Sequence, residues 1–366
     1  MVIVLVPSSV TTIDDAVPAG VEDSLAGYME SRRAGLLGRA PGFLTAIDAL
    51  VDFVLGGGKR IRPTFAWWGW RGAGGEASGE RADAALKAVS SLEFLQACAL
   101  IHDDIMDSSD MRRGRPTVHV AFAEKHREQG WLGESGQFGA AAAILIGDLA
   151  MTWAEDMFAS AGLTARMAAE ARVPWQAMRS EVLAGQYLDV LAQARGDEST
   201  ATAEAVAEMK TAAYTVERPL HLGVALAGAD PHTVGAVRRF GADIGVAFQL
   251  RDDLLGVYGD TRATGKPAGD DLREGKRTLL VALGLAKAEP AGATVLRDAL
   301  GDPALSEQTI ERVREILVDA GAVTAVEQRI GTLTASAMAA LDEAHLTEPA
   351  ATKLAELAVA ATSRDR

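Results

Sequence analysis

The chain has 366 residues, 48% hydrophobic and 23% charged, enough apolar material to bury a large core and too much for a disordered polymer. A formal charge of −14 argues against general attraction to nucleic-acid backbones or anionic membranes, so an anionic substrate needs a local group of lysines and arginines. The single cysteine excludes an internal disulfide framework and any multi-cysteine zinc or iron–sulfur site, as expected in a reducing cytoplasm.

From the N-terminus, Met1 to Val6 is apolar but lacks a basic leader and meets Pro7, so no export signal is expected. Residues 1–20 read as a tail and 21–366 as a single domain; a length prior of about 150 residues per domain would allow two. Alanine dominates, aromatics are 5%, and apolar residues recur at three and four, which predicts an all-α protein. Glycine-rich breaks fall at 72–79, 129–139 and 259–275, the last a candidate active-site loop. No apolar run reaches the roughly 18 residues of a membrane span, so none is expected.

Three Gly-Lys pairs end in Lys59, Lys266 and Lys276. None is followed by Ser or Thr, and none has glycine five residues upstream, so no P-loop is present. No HExxH pair occurs, and Ile105 stands where a calcium loop wants an oxygen ligand. Aspartates remain. Asp103 and Asp107 in DDIMD lie one helical turn apart on one face, beside Asp104. Such a pair repels itself without a cation, and magnesium suits it: a hard ion that takes one or two carboxylates and completes its shell with water and phosphate.

A second pair, Asp252 and Asp253, has Gly256 where a third carboxylate would stand. An isolated cluster of this kind can equally decorate a solvated helix end. Here the preceding SLEFLQACALIH is mostly apolar, so the first cluster ends a buried helix, where carboxylates need partners. Downstream, Arg112 and Arg113 offer guanidinium forks for phosphate, and GGGKRIRP adds Lys59, Arg60 and Arg62 after a flexible glycine run.

In order from about Gly56 to Thr278, the segments GGGKRIRP, EFLQACALIHDD, DDIMDSSDMRRG, MKTAAYT, FQLRDD and TGKPAGDDLREGKRT resemble the motifs of the trans-polyprenyl diphosphate synthases. The resemblance implies an isoprenoid synthase fold, a large helical bundle around a deep central cavity, normally a homodimer. It implies condensation of isopentenyl diphosphate with an allylic diphosphate (dimethylallyl, geranyl or farnesyl), assisted by several magnesium ions. Asp103, Asp107 and Asp252 would ligate magnesium, supported by Asp104 and Asp253. Arg112, Lys210 and Lys266 would hold the allylic diphosphate, and Lys59, Arg62, Arg113 and Gln96 the isopentenyl diphosphate. Lys276 would cap the closing loop, Asp271 would anchor it, and Thr211 and Gln249 would point oxygen dipoles at the developing carbocation. The departure at Gly256 puts metal affinity in doubt more than activity.

No protein nucleophile is required for this chemistry, which accords with the lack of a credible Ser/His/Asp or Cys/His set. Helix geometry places Leu92, Gln96, Ala99, Asp103 and Asp107 on nearly one face, with Ala99 about 6 Å and Leu95 about 12 Å below Asp103. In the family, aromatic residues at the positions of Cys98 and Ala99 stop the product at farnesyl length. Their small size here makes geranylgeranyl diphosphate the expected product, with farnesyl or longer chains, a class I terpene cyclase and a non-catalytic isoprenoid-binding subunit as alternatives. His102, His119, Trp67, Trp68 and Trp70 read as packing or bracing residues, and Arg364 and Arg366 as an exposed end.

Overall fold

The computed structural model describes residues 12–36, 40–259 and 269–363, and the described part is all-α apart from one minute hairpin. Helices α1 (Val17–Leu36), α2 (Pro41–Leu55), α3 (Ile61–Gly72) and α4 (Glu80–Ser90) lead into α5 (Leu92–Met106), which carries the first aspartate cluster at its end. Then come α6 (Val118–Glu128), α7 (Ser135–Ala159), α8 (Ala165–Arg195), α9 (Thr200–Val206), a π-helical segment (Ala207–Glu217), α10 (Arg218–Ala227) and α11 (Pro231–Tyr258). A short α12 (Asp270–Arg273) precedes a C-terminal group: α13 (Leu279–Lys287), α14 (Pro290–Ala299), α15 (Glu307–Asp319), α16 (Ala322–Glu343) and α17 (Ala350–Thr362).

Helix α5 is central because its apolar residues surround it: Leu92, Phe94, Leu95, Ala97, Cys98 and Ile101 are all buried. Phe94 meets Tyr28 of α1 and Trp153 of α7 edge-on, with the three centroids 5.7 to 6.1 Å apart, a geometry aromatic quadrupoles favour. Trp67, Trp68 and Trp70 fill the core as expected. A second apolar cluster joins the C-terminal part of α11 to α13, α14, α15 and α16.

The π-helical segment lies against α8 and α11, and glycines on both make room for its wider coil. A Cβ on Gly185 would come within 2.2 Å of the Lys210 backbone nitrogen, and one on Gly245 within 2.6 Å of the Ala212 Cα. π-Helical widening tends to occur at functional sites, and this eleven-residue segment carries Lys210, Thr211 and Tyr214.

Three expectations need adjustment or a small addition. The tail expected to run to residue 20 ends earlier: a 3₁₀ turn spans Ile13–Asp15, α1 begins at Val17, and Asp14 accepts hydrogen bonds from Trp67 Nε1 and Arg71 Nε, both at 2.9 Å. The all-α reading holds, and the only addition to it among the described residues is the pair of two-residue strands β1 (Met111–Arg112) and β2 (Arg115–Pro116), too short for period-two patterning. Finally, residues 80–106 and 135–159 are long and apolar enough by length and composition to cross a membrane. The first is mostly buried core, as befits a central helix. The second exposes Ile144 and Leu145, and partly exposes Phe138, whose ring lies 5.3 Å from His126 of α6.

Candidate active site

At the end of α5, Asp103 is enclosed by cations. Lys210 Nζ donates to its Oδ1 at 3.0 Å, Gln186 Nε2 donates to the same oxygen at 3.0 Å, and Arg112 lies 3.6 Å from Oδ2. Burial by itself would push this carboxyl up, but Lys210, Lys276 and Arg112 outweigh it and hold the group at about 2. Asp107 goes the other way, raised to about 6 by burial and then by the charge of Asp103. Asp104 is 1% exposed and gripped by Arg112 at 2.7 to 2.9 Å, so it fixes that guanidinium beside Asp103.

Lys210 also donates to Asp189 Oδ2 at 2.6 Å, and the two carboxylates raise its pKa against the effect of burial. Asp189 and Gln186 escaped the sequence reading. They sit three apart on α8, so both face inward, but neither stands in a cluster that marks it. Their signal was only the sequence QYLD opposite an expected lysine.

The second acidic wall comes from α11 and the segment after it. Gln249 Nε2 donates to Asp253 Oδ1 at 2.6 Å; Asp253 is buried and its carboxyl is raised to about 8 by burial and by the nearby Asp271. Asp252 lies beside it, half-buried. At Gly256 an added Cβ would fall 1.8 Å from Asp271 Oδ2. The Asp271 carboxylate thus occupies the space that a side chain at 256 would take.

Lys276 joins the two walls, 3.5 Å from both Asp107 and Asp271 and paired closely with Glu274. Ser109 Oγ adds a 2.9 Å bond to Glu274 across the same gap. Lys266 lies outside the described residues, as do Arg364 and Arg366.

Facing these carboxylates is a cationic wall. The Arg112-Arg113 pair enters a two-residue hairpin turn, with Arg112 paired to Arg115 and φ positive at Arg113 (52°) and Gly114 (72°). That is the primed turn a short hairpin prefers, and it costs strain at a non-glycine residue. The turn sends its consecutive arginines in different directions. Arg112 turns to Asp104, while Arg113 Nη1 donates to the Gly57 carbonyl at 2.6 Å, in the glycine-rich loop.

In that loop Arg60 also adopts positive φ (50°) and is 3% exposed, paired with Glu93 at 2.8 Å. Lys59 is exposed. Burial lowers the Arg113 pKa, and Arg112, Arg60 and Arg62 lower it further, so an anion docking here would relieve repulsion among these guanidinium groups. Arg62 stacks 4.0 Å from the Tyr214 centroid and donates to Thr215 Oγ1 at 2.7 Å; Tyr214 in turn donates to Gln96 Oε1 at 2.7 Å.

Among the described residues no three carboxylates or imidazoles form a ready-made metal cage. What exists is two carboxylate groups whose burial and mutual repulsion favour a bridging cation, the arrangement suited to magnesium shared with substrate phosphate. Thr211 adjoins Lys210 and is half-buried. Along α5, Leu95 is fully buried, Cys98 is buried with its thiol pushed up to about 12 by burial, and Ala99 is half-buried. His102 packs on α7, its Nε2 3.1 Å from the Ile144 carbonyl, and His119 sits 3.1 Å from Thr117 Oγ1.

Residues 45–317 match the family model described as polyprenyl synthetase. The chain is 34% identical over 284 residues to the geranylfarnesyl diphosphate synthase of Aeropyrum pernix, covering 77% of this chain and 82% of that protein. It is 33% identical over 313 residues to the octaprenyl diphosphate synthase of Escherichia coli K12, covering 86% and 88%. A solved geranylgeranyl pyrophosphate synthase from Corynebacterium glutamicum, complexed with isoprenyl diphosphate and magnesium, superposes with a TM-score of 0.92 at 46% identity, covering 95% of this chain and 98% of that one. Facing carboxylate and guanidinium walls in an all-helical frame thus coincide with sequence likeness across most of the chain, which belongs to the polyprenyl synthetase family and is a prenyltransferase.

Proposed function

We propose that the protein condenses isopentenyl diphosphate head-to-tail with an allylic diphosphate and that its main product is geranylgeranyl diphosphate. The observation that carries this reading is the division of cations into two sets. Arg112 and Lys210 lie on the aspartates, whereas Lys59, Arg62 and Arg113 belong to a separate group around the glycine-rich loop and Tyr214. A terpene cyclase needs one diphosphate grip; two grips suit two diphosphates.

Magnesium, held by Asp103, Asp107 and Asp252, would neutralise the charge growing on the leaving diphosphate as the allylic carbon–oxygen bond breaks. Arg112 and Lys210 bind the same diphosphate and favour its departure, an electrostatic stabilisation that needs no protein nucleophile. Gln249 and Thr211 supply dipoles beside the cation. Lys59, Arg62, Arg113 and Gln96 orient isopentenyl diphosphate so that its double bond attacks the allylic carbon, and the proton then lost passes to an oxygen of the released diphosphate. Lys276, on the segment that follows α11, helps close the site against water that would quench the cation.

The relatives are named for products from farnesyl to octaprenyl length, so the product assignment rests on residues. Cys98 and Ala99 are small where bulky side chains would shorten the product, and Leu95 is the first large apolar side chain beyond Ala99 towards the start of α5. A homodimer is proposed through α6 and α7, where Phe138, Ile144 and Leu145 are exposed. Incubation with magnesium, labelled isopentenyl diphosphate and each allylic primer tests the assignment. Elongation to a twenty-carbon diphosphate is expected; cyclised hydrocarbon or no turnover would overturn it.

A further inference from the structure

Gln96 is the uncharged member of the isopentenyl diphosphate grip, so its value depends on which end of its amide faces the anion. An amide oxygen repels phosphate, and an amide NH₂ donates to it. The Tyr214 hydroxyl lies 2.7 Å from Gln96 Oε1, and Tyr214 itself is 6% exposed. A buried phenol needs an acceptor for its one proton. Burial also raises its pKa, so it remains a donor across the working range.

The ring is fixed in turn. Arg62 stacks on it at 4.0 Å and is tethered to Thr215, the next residue of the π-helical segment. One residue of that segment therefore touches two candidate ligands, one from α3 and one from α5.

We infer that Tyr214 is a positioning residue: by holding Gln96 Oε1 it turns the Gln96 NH₂ towards the isopentenyl diphosphate, next to the Arg62 guanidinium that rests on its ring. The inference rests on the proposed role of Gln96 as a ligand of that substrate. Lys210 lies four residues earlier on the same segment, paired with Asp103. The segment thus carries one contact for the allylic side and one organiser for the isopentenyl side.

Steady-state kinetics with both substrates varied test this. Tyr214→Phe keeps the ring and removes one oxygen. Its KM for isopentenyl diphosphate is expected to rise about fivefold, the worth of one net hydrogen bond, with kcat and the allylic KM within about twofold. With Gln96→Leu already present, adding Tyr214→Phe is expected to raise that KM no further, because the two act as a unit. An equal rise with and without Gln96→Leu would overturn the inference, as would a loss confined to kcat.

Two single variants with Tyr214 intact give a second reading. Gln96→His offers Tyr214 an acceptor nitrogen and the diphosphate an N–H, so it is expected to retain most of the affinity that Gln96→Leu loses. Equal, raised KM values for the two would count against orientation by Tyr214. An unchanged KM in Gln96→Leu would instead remove the ligand reading of Gln96, and the inference with it.

Discussion

Lys210 bonds two carboxylates at once, and the consequence of removing one can be stated. With Asp189 gone, the ammonium loses the partner that fixes its position over Asp103. Asp189→Asn is expected to lower kcat/KM for the allylic substrate about 10- to 100-fold, the usual effect of losing a residue that orients a ligand, while the isopentenyl KM stays constant. Titration of the carboxylates gives a separate test. Asp107 and Asp253 are raised to about 6 and about 8, so the folded chain holds protons there that the unfolded chain releases near pH 4. Between about pH 4 and 8 these groups therefore make the metal-free protein less stable as pH rises. Asp103, held at about 2, has the opposite sign: its contribution is full above about pH 4 and fades as pH falls towards 2. A bound divalent cation, itself anchored by diphosphate, relieves the penalty at Asp107 and Asp253 by favouring the ionised forms. Magnesium with a diphosphate analogue is accordingly expected to raise the melting temperature more at pH 8 than at pH 6, and equal increments in calorimetry would contradict the assignment.

At the scale of elements, the π-helical segment and its glycine supports matter most. An alanine at Gly245 would meet backbone on the facing segment, with no flexible side chain to move aside. Gly245→Ala should cost about 1–3 kcal/mol in denaturant unfolding and should also reduce kcat, since Lys210 and Tyr214 ride on the displaced turn. Along α5, Ala99→Phe is expected to shorten the main product towards farnesyl length, read by chromatography of the dephosphorylated alcohols; an unchanged product would dissociate Ala99 from chain length. The apolar period of α5 and the DDIMD cluster at its end were legible from residue order, because helical spacing alone puts Asp103 and Asp107 on one face. The π-helix was not, since its wider period cannot be told from an α-helical one within eleven residues. The hairpin at Arg112–Arg115 was hidden for a similar reason: its two-residue strands are too short to alternate.

For the whole molecule, a net charge of −14 coexists with a compact cationic wall. That contrast attracts diphosphates locally without making the surface sticky for other polyanions. The exposed face of α7 belongs to this scale too. Leu145 is 63% exposed, so Leu145→Glu should leave the monomer's fold intact and convert a dimer to monomers in light scattering. Residue order by itself determined the helical class and pointed to most of the charged groups of the candidate site, because helical period and charge clustering are local properties. Tertiary structure alone decided the partners: Asp189 with Lys210, Arg60 with Glu93, Tyr214 with Gln96, and Asp271 in the space above Gly256. These contacts join residues far apart in the chain, and which ones meet depends on how helices pack and where glycines let them approach, which no local pattern encodes.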